Sequence, residues 1–243
     1  MRPIRIHAHL ALEPGREFTL PPAASEHLTR VLRLGAGAAL TLFNGDGHDY
    51  AARLRDAARG GARVEILARG APAATESSLA LTLVQALARG EKMDWILQKA
   101  TEVGVAAIVP VVTARTEVRL DADRGERRLE HWRSVVASAC EQCGRARLPA
   151  VAPPQPLAAW LAAARDPGPL LMLDPAAATR VRALAPMRSA CLVVGPEGGF
   201  DDSDGLLLRH AGAQGLGLGP RVLRTETAGL AALAMLQSHF GDC

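Results

Sequence analysis

Two glycine-rich stretches hold the residues whose types and spacing best suit chemistry: LVVGPEGGF (Leu192–Phe200) and LGLGPRVLRTETAG (Leu216–Gly229). Each follows a short apolar run, so each predicts a loop at the end of a buried strand, where glycine lets the backbone approach a ligand. A phosphate-binding loop needs a lysine and a hydroxyl at its end, and neither stretch contains lysine. GPEGGF also departs from the dinucleotide fingerprint G-x-G-x-x-G, Pro196 removes one amide donor, and Glu197 repels a polyphosphate. The pattern disfavours a nucleotide phosphate. The bland alternative is two tight turns with no ligand.

A cationic or neutral ligand suits the loops better. S-adenosylmethionine carries a sulfonium and an ammonium and no phosphate, and its adenine can be held by backbone groups in a tight apolar pocket. At the end of the second stretch Thr225 is expected to cap a helix whose free amides form a dipole end, with Arg224 just before it. Plain capping and a surface charge are the competing readings of these two residues.

The elements that must position these loops read as two regions. Residues 1 to about 70 read as strands and tight turns, with NGDG (Asn44–Gly47) as a hairpin signal after Ala39–Phe43, and with one short helix near Ser25–Val31. Gly70–Ser78 reads as a linker. From residue 79 strand and helix patterns alternate: strands at LALTLVQAL, VAAIVPVV, Leu170–Asp174, Cys191–Gly195 and Gly215–Leu218, and helices at EKMDWILQKATEVG, Glu126–Gln142 and Thr225–His239. That alternation predicts a mostly parallel sheet covered on both faces, with ligands beyond the carboxyl ends of its strands.

Composition excludes several classes. At 243 residues and 49% hydrophobic the chain can bury a core, and no apolar run reaches the roughly 18 residues of a membrane span. The N-terminal MRPIRIHAHL lacks the features of a signal peptide, so a cytoplasmic protein without membrane attachment is expected. Net charge is +3, which permits an anionic partner without demanding one. Cys140 and Cys143 form one Cys-x-x-Cys at the wrong end of a helical pattern for a redox thiolate, and no second pair completes a zinc site, so no metal is expected. Lys92 and Lys99, the chain's two lysines, stand seven apart on one helix face.

GPEGGF with LGPRVLRTETA resembles the SPOUT methyltransferases, and among them the 16S rRNA (uracil-N3)-methyltransferase family; HLTRVLRLGAG, MDWILQKATEVGVAAIVPVVTART and CEQCGRARLP are similar to that family's other segments, in the same order over nearly the whole chain. The resemblance implies an α/β fold with a deep C-terminal trefoil knot at 73–243, preceded by a PUA-like β-barrel at 1–72 that helps hold RNA. It implies S-adenosyl-L-methionine as cofactor, methyl transfer to N3 of a uracil in 16S ribosomal RNA, free or in an assembled small subunit, and a homodimer. Three departures stand out: Gly37-Ala38 in place of Gly-Asp, Asp204 in place of a glutamate at a helix start, and Cys143 in place of a small residue such as serine.

The site expected from these readings has Arg224 stabilising charge on the uracil, with Glu197 and Glu226 as bases or orienting groups. Cofactor contacts are expected from Leu173, Gly195, Glu197, Gly198, Leu218, Gly219, Val222, Leu223, Thr227 and Ala228. RNA contacts are expected from Arg30, Arg33, Lys92, Lys99 and Arg145, against the alternative of a solvated mixed-charge surface. Aromatic residues make up 3%, so stacking platforms are few and recognition of RNA shape with a flipped base is favoured. Two rival readings are another SPOUT enzyme acting on a ribose 2′-hydroxyl or a tRNA base, and an RNA-binding protein without turnover.

Overall fold

A computed structural model describes residues 4–58, 61–118, 122–163 and 168–243. The chain forms two compact units. One comprises the described part of Met1–Glu76 together with Cys140–Leu148, and the other Ser77–Ala139 with Pro149–Cys243.

The first unit holds β1 (Arg5–His7), β2 (Glu17–Thr19), α1 (Pro22–Glu26), β3 (Ala39–Phe43), β4 (His48–Ala58) and β5 (Gly61–Pro72). Its strands run in the order β1-β3-β4-β5-β2, antiparallel except for β1 against β3. Side chains of β5 alternate, so that Ala62, Val64 and Ile66 are buried on the face that meets Leu28, Leu40, Leu42 and Leu54. The NGDG stretch makes the expected hairpin between β3 and β4: Gly45 and Gly47 both take φ +93°, which glycine tolerates, and Tyr50 donates to Asp46 Oδ2 at 2.7 Å.

Two local expectations are corrected here. The helix near Ser25–Val31 begins earlier, at Pro22, and continues as a π-helical turn over His27–Val31. Proline suits a first helical position because its missing N–H has no partner there anyway. The expected linker is also shorter, because β5 continues to Pro72, paired with His48.

The second unit holds β6 (Ala80–Ala86), α2 (Lys92–Glu102), β7 (Ala107–Val112), most of α3 (Ala122–Cys143), β8 (Ala150–Val151), β9 (Gln155–Pro156), α4 (Leu157–Ala162), β10 (Leu170–Leu173), β11 (Ser189–Val194), α5 (Asp202–His210), β12 (Gln214–Leu216) and α6 (Thr225–Phe240). Its parallel strands run β12-β10-β11-β6-β7-β8, with β9 also on β7. Parallel strands buried on both faces need near-continuous apolar sequence. On one face Val84, Val109, Met172 and Val193 cluster with Leu157 and Trp160 of α4 and Leu208 of α5. On the other, Gly229 of α6 lies against Leu83, Gln85 and Val194, where a methyl group would be only 3.4–3.5 Å from each. The helices α4 and α5 were not among the helices read from the alternating pattern. The buried stripe of α6 is Gly229, Ala232, Leu233, Leu236 and Gln237, and Ala234 is exposed. Among the described residues no helix is long and apolar enough to cross a membrane.

Candidate active site

The carboxyl ends of β10, β11 and β12 lie side by side, because Met172 pairs with Val193 and Leu173 with Leu216. Both glycine stretches therefore leave the same sheet edge. The first turns at once: Gly199 takes φ +69° and donates to the Pro196 carbonyl at 2.9 Å. At Gly195 a side chain would press on the backbone of Gly199 and Phe200 at 3.3 Å. The turn then delivers Asp201, whose carboxylate accepts the Asp204 amide at 2.8 Å and caps α5. The second stretch needs glycine at 217, where a side chain would collide with the Ala177 carbonyl.

Between these loops lies a cavity of about 630 Å³. Of the residues expected at a cofactor, Leu173, Gly195, Glu197, Gly198, Leu218, Gly219, Val222, Leu223 and Ala228 line it, as do Arg224 and Glu226. Thr227 does not. It is exposed, one helical step away from Glu226 and Ala228, and its amide turns back to the Arg224 carbonyl at 2.9 Å. The wall also includes Met172, Phe200, Arg115, Arg209 and Arg221, which were not singled out from the sequence. Arg115 reaches the first loop from the segment after β7, donating to the Gly198 carbonyl at 2.8 Å.

Charge in the cavity centres on Lys92. Its ammonium lies 3.0 Å from Glu197 Oε1 and 3.6 Å from Glu226 Oε2. Glu197 Oε1 also accepts the Arg89 amide at 3.1 Å. Partial burial works against ionisation of Glu197, but the Arg89 amide, its own amide and the Lys92 ammonium outweigh it and hold the carboxyl below its ordinary range. Glu226 Oε2 is buried without a hydrogen bond and has Lys92 as its counter-charge. The two carboxylates therefore differ: Glu197 is tied into its surroundings, while Glu226 keeps acceptor capacity.

Thr225 does not cap α6. Arg224 occupies the cap position, and Thr225 is the first helical residue. Its hydroxyl donates to the Gly195 carbonyl at 2.6 Å and accepts from Gln85 Nε2 at 2.9 Å, a side chain fully buried at the end of β6. The TETA signal marks the helix start correctly, but a partner 140 residues away redirects the hydroxyl. Asp204 likewise does more than charge a helix start: it is buried, and its Oδ2 accepts the Ala114 amide at 3.1 Å.

The expected RNA-binding residues have varied settings. Arg30 is exposed and paired with Glu26 at 2.7 Å. Arg33 lies beyond the helical turn at φ +52°, the one non-glycine residue with positive φ among the described residues, so it does not share a helix face with Arg30. Lys99 pairs with Glu102 at 2.8 Å, and Lys92 sits in the cavity wall. Arg145 is buried against Glu76, with Nη2 2.7 Å from Oε2 and Nε 3.2 Å from the same oxygen. The Cys140 thiol is pushed far above its ordinary range by its hydrogen bond with Cys143 and by burial. Among the described residues no group of three or more His, Cys, Asp or Glu side chains is placed to hold a metal ion.

Comparison with known proteins places this geometry in context. Residues 75–237 match the RNA methyltransferase domain family, and residues 20–67 match the RNA methyltransferase PUA domain. The ribosomal RNA small subunit methyltransferase E of Synechocystis is 33% identical over 90% of this chain and 72% of its own length. That of Buchnera aphidicola from Schizaphis graminum is 28% identical over 98% and 97%. The crystal structure of the Neisseria gonorrhoeae ribosomal RNA small subunit methyltransferase E bound to S-adenosyl methionine superimposes with a TM-score of 0.94, at 37% identity, covering 99% of each chain. A Legionella pneumophila structure in complex with the bound cofactor SAM also gives 0.94, at 36% identity over 100% of both chains.

Proposed function

The chain belongs to the RNA methyltransferase family that includes the ribosomal RNA small subunit methyltransferase E proteins, and from that premise we propose that it methylates N3 of one uracil in 16S ribosomal RNA, using S-adenosyl-L-methionine. The observation that carries the reading is the cavity at the sheet's carboxyl edge, where both glycine loops and two carboxylates converge. Its residues fit the cofactor. A space of about 630 Å³ is in the range of small-molecule sites, and its wall combines apolar Leu173, Leu218 and Leu223 with charges of both signs, Glu197 and Glu226 beside Lys92 and Arg224. Leu173, Gly195, Gly198, Leu218, Gly219, Val222, Leu223 and Ala228 would hold it, largely through backbone groups. When bound, the cofactor supplies the methyl group on its sulfonium.

The protein's own task is the N3 proton and the charge left behind. N3 of neutral uracil carries a proton and is a poor nucleophile, so a positioned base accelerates its reaction. Glu226 is the better acceptor, because Glu197 already takes the Arg89 amide and the Lys92 ammonium. Glu197 holds Lys92 in place. Arg224, exposed at the cavity rim, stabilises negative charge developing on O2 or O4 of the uracil.

The same proposal extends to the whole chain. Residues 1–72 act as the PUA-like module that helps hold the RNA, residues 73–243 form the catalytic domain, and the enzyme works as a cytoplasmic homodimer on 16S ribosomal RNA. A deep trefoil knot in the catalytic domain is part of the same proposal and rests on the family membership. Mass spectrometry of ribosomal RNA from a strain lacking the gene is the test. One missing N3-methyluridine in 16S RNA, restored by the purified protein with S-adenosylmethionine, is expected. A missing 2′-O-methyl or tRNA mark would overturn the assignment of substrate, and no missing mark would overturn the assignment of activity.

A further inference from the structure

The Gln85–Thr225–Gly195 chain has a geometry that plain helix capping does not explain. Gln85 is fully buried at the carboxyl end of β6, in register with Val194 on the neighbouring strand β11. Its Nε2 donates to the Thr225 hydroxyl at 2.9 Å and to the Ala86 carbonyl at 3.0 Å. Thr225, itself buried, donates a hydrogen bond from its hydroxyl to the Gly195 carbonyl at 2.6 Å. A hydroxyl has one proton, so the direction is set: Gln85 donates, Thr225 accepts and donates onward, and Gly195 accepts.

The chain joins three parts of the cavity. Gly195 opens the first glycine loop, Thr225 ends the second, and Glu226 and Arg224 flank Thr225 on the cavity wall. The tie is buried and made of directional bonds, so it fixes both the rotation of α6 about its axis and the orientation of the Gly195 peptide. Gln85 Oε1 is left buried and unpaired, facing Gly229 of α6, so the amide is held where apolar packing alone would not place a polar group.

We propose that Gln85 and Thr225 are positioning residues that hold the first turn of α6, and with it Arg224 and Glu226, in register with the first glycine loop. The proposal rests on the reading of this cavity as the S-adenosylmethionine site. Gln85 does not line the cavity and acts through Thr225.

Binding of S-adenosylmethionine by calorimetry, with steady-state methylation of 16S RNA, tests it. Thr225→Val keeps the shape and removes the hydroxyl. A roughly tenfold weaker cofactor affinity is expected, as for one lost bond that leaves a buried carbonyl unpaired. Thr225→Ser recovers most of the loss. Gln85→Leu weakens binding by a similar factor, and the Gln85→Leu/Thr225→Val double variant is little worse than Thr225→Val alone, because both act through one chain of bonds. Circular dichroism and thermal unfolding of each variant separate misfolding from mispositioning; if Gln85→Leu does not fold, the Thr225 pair carries the test. Wild-type affinity in Thr225→Val, failure of serine to restore it, or additive losses in the double variant would overturn the positioning role. Absence of S-adenosylmethionine binding by the wild-type protein would instead overturn the reading of the cavity, and the two failures are distinguishable.

Discussion

Lys92 places its ammonium 3.0 Å from Glu197 Oε1, inside the cavity rather than on an open helix face. The carboxyl of Glu197 is held below its ordinary value of 4.5, with burial opposing and the Arg89 amide, its own amide and Lys92 favouring the charged form. A depressed folded-state value means that the stabilisation is present above the unfolded value and is lost as pH falls through the folded one. Thermal unfolding between pH 7 and 3 should show this acid loss in the wild type and a shallower loss below about pH 4.5 in Lys92→Met. Parallel curves would show that the ion pair does not set the proton affinity of Glu197.

Arg224 stands exposed at the rim, and its side chain makes no hydrogen bond that caps α6. Arg224→Ala should lower kcat by about 10²- to 10³-fold, the usual loss for one charge-stabilising donor, with cofactor affinity nearly unchanged. A full methylation rate with normal cofactor binding would remove Arg224 from the mechanism. Single-turnover kinetics with saturating cofactor makes the measurement.

Arg145 reads in sequence as a phosphate contact, yet its side chain is 7% exposed and bonded to Glu76. Glu76→Ala should destabilise the protein by about 3 kcal/mol, because it strands a buried guanidinium. Urea unfolding gives the number. The salt dependence of RNA binding by Arg145→Met separates the two roles: an unchanged slope fits the buried pair, and a slope reduced by about one fits a phosphate contact.

His7 titrates at about 4, lowered first by burial and then by neighbouring His9. The unfolded chain takes up this proton near 6.5 and the folded one near 4, so stability is lost as pH falls between those values and levels off below. His7→Phe should flatten the loss in that window. The ring lies 5.4 Å from Phe43, so a phenyl group has an apolar neighbour to meet. If the slope of stability against pH between 6.5 and 4 stayed the same in the variant, another group would be its source.

What was legible in the sequence was local. The NGDG hairpin, the helix α2 and the glycine turns depend on residues a few positions apart, whose spacing and backbone freedom can be read directly. Boundaries slipped where a local signal had two outcomes, as at Pro22 and at the end of β5. The helix α4 was missed because its six residues show no full amphipathic period.

The site divides the same way. Two glycine loops, a carboxylate in the first and the family resemblance were enough to name eleven residues that the structure brings to one cavity. Only the tertiary structure decided that Lys92 serves Glu197 and Glu226, that Arg115 props the first loop, that Thr225 bonds to Gln85 and Gly195, and that Arg145 is buried. Each of these partners lies 30 to 140 residues away in the chain. A charge or a hydroxyl has the same local pattern whether it faces water or a buried partner, and long-range packing alone sets which one it meets.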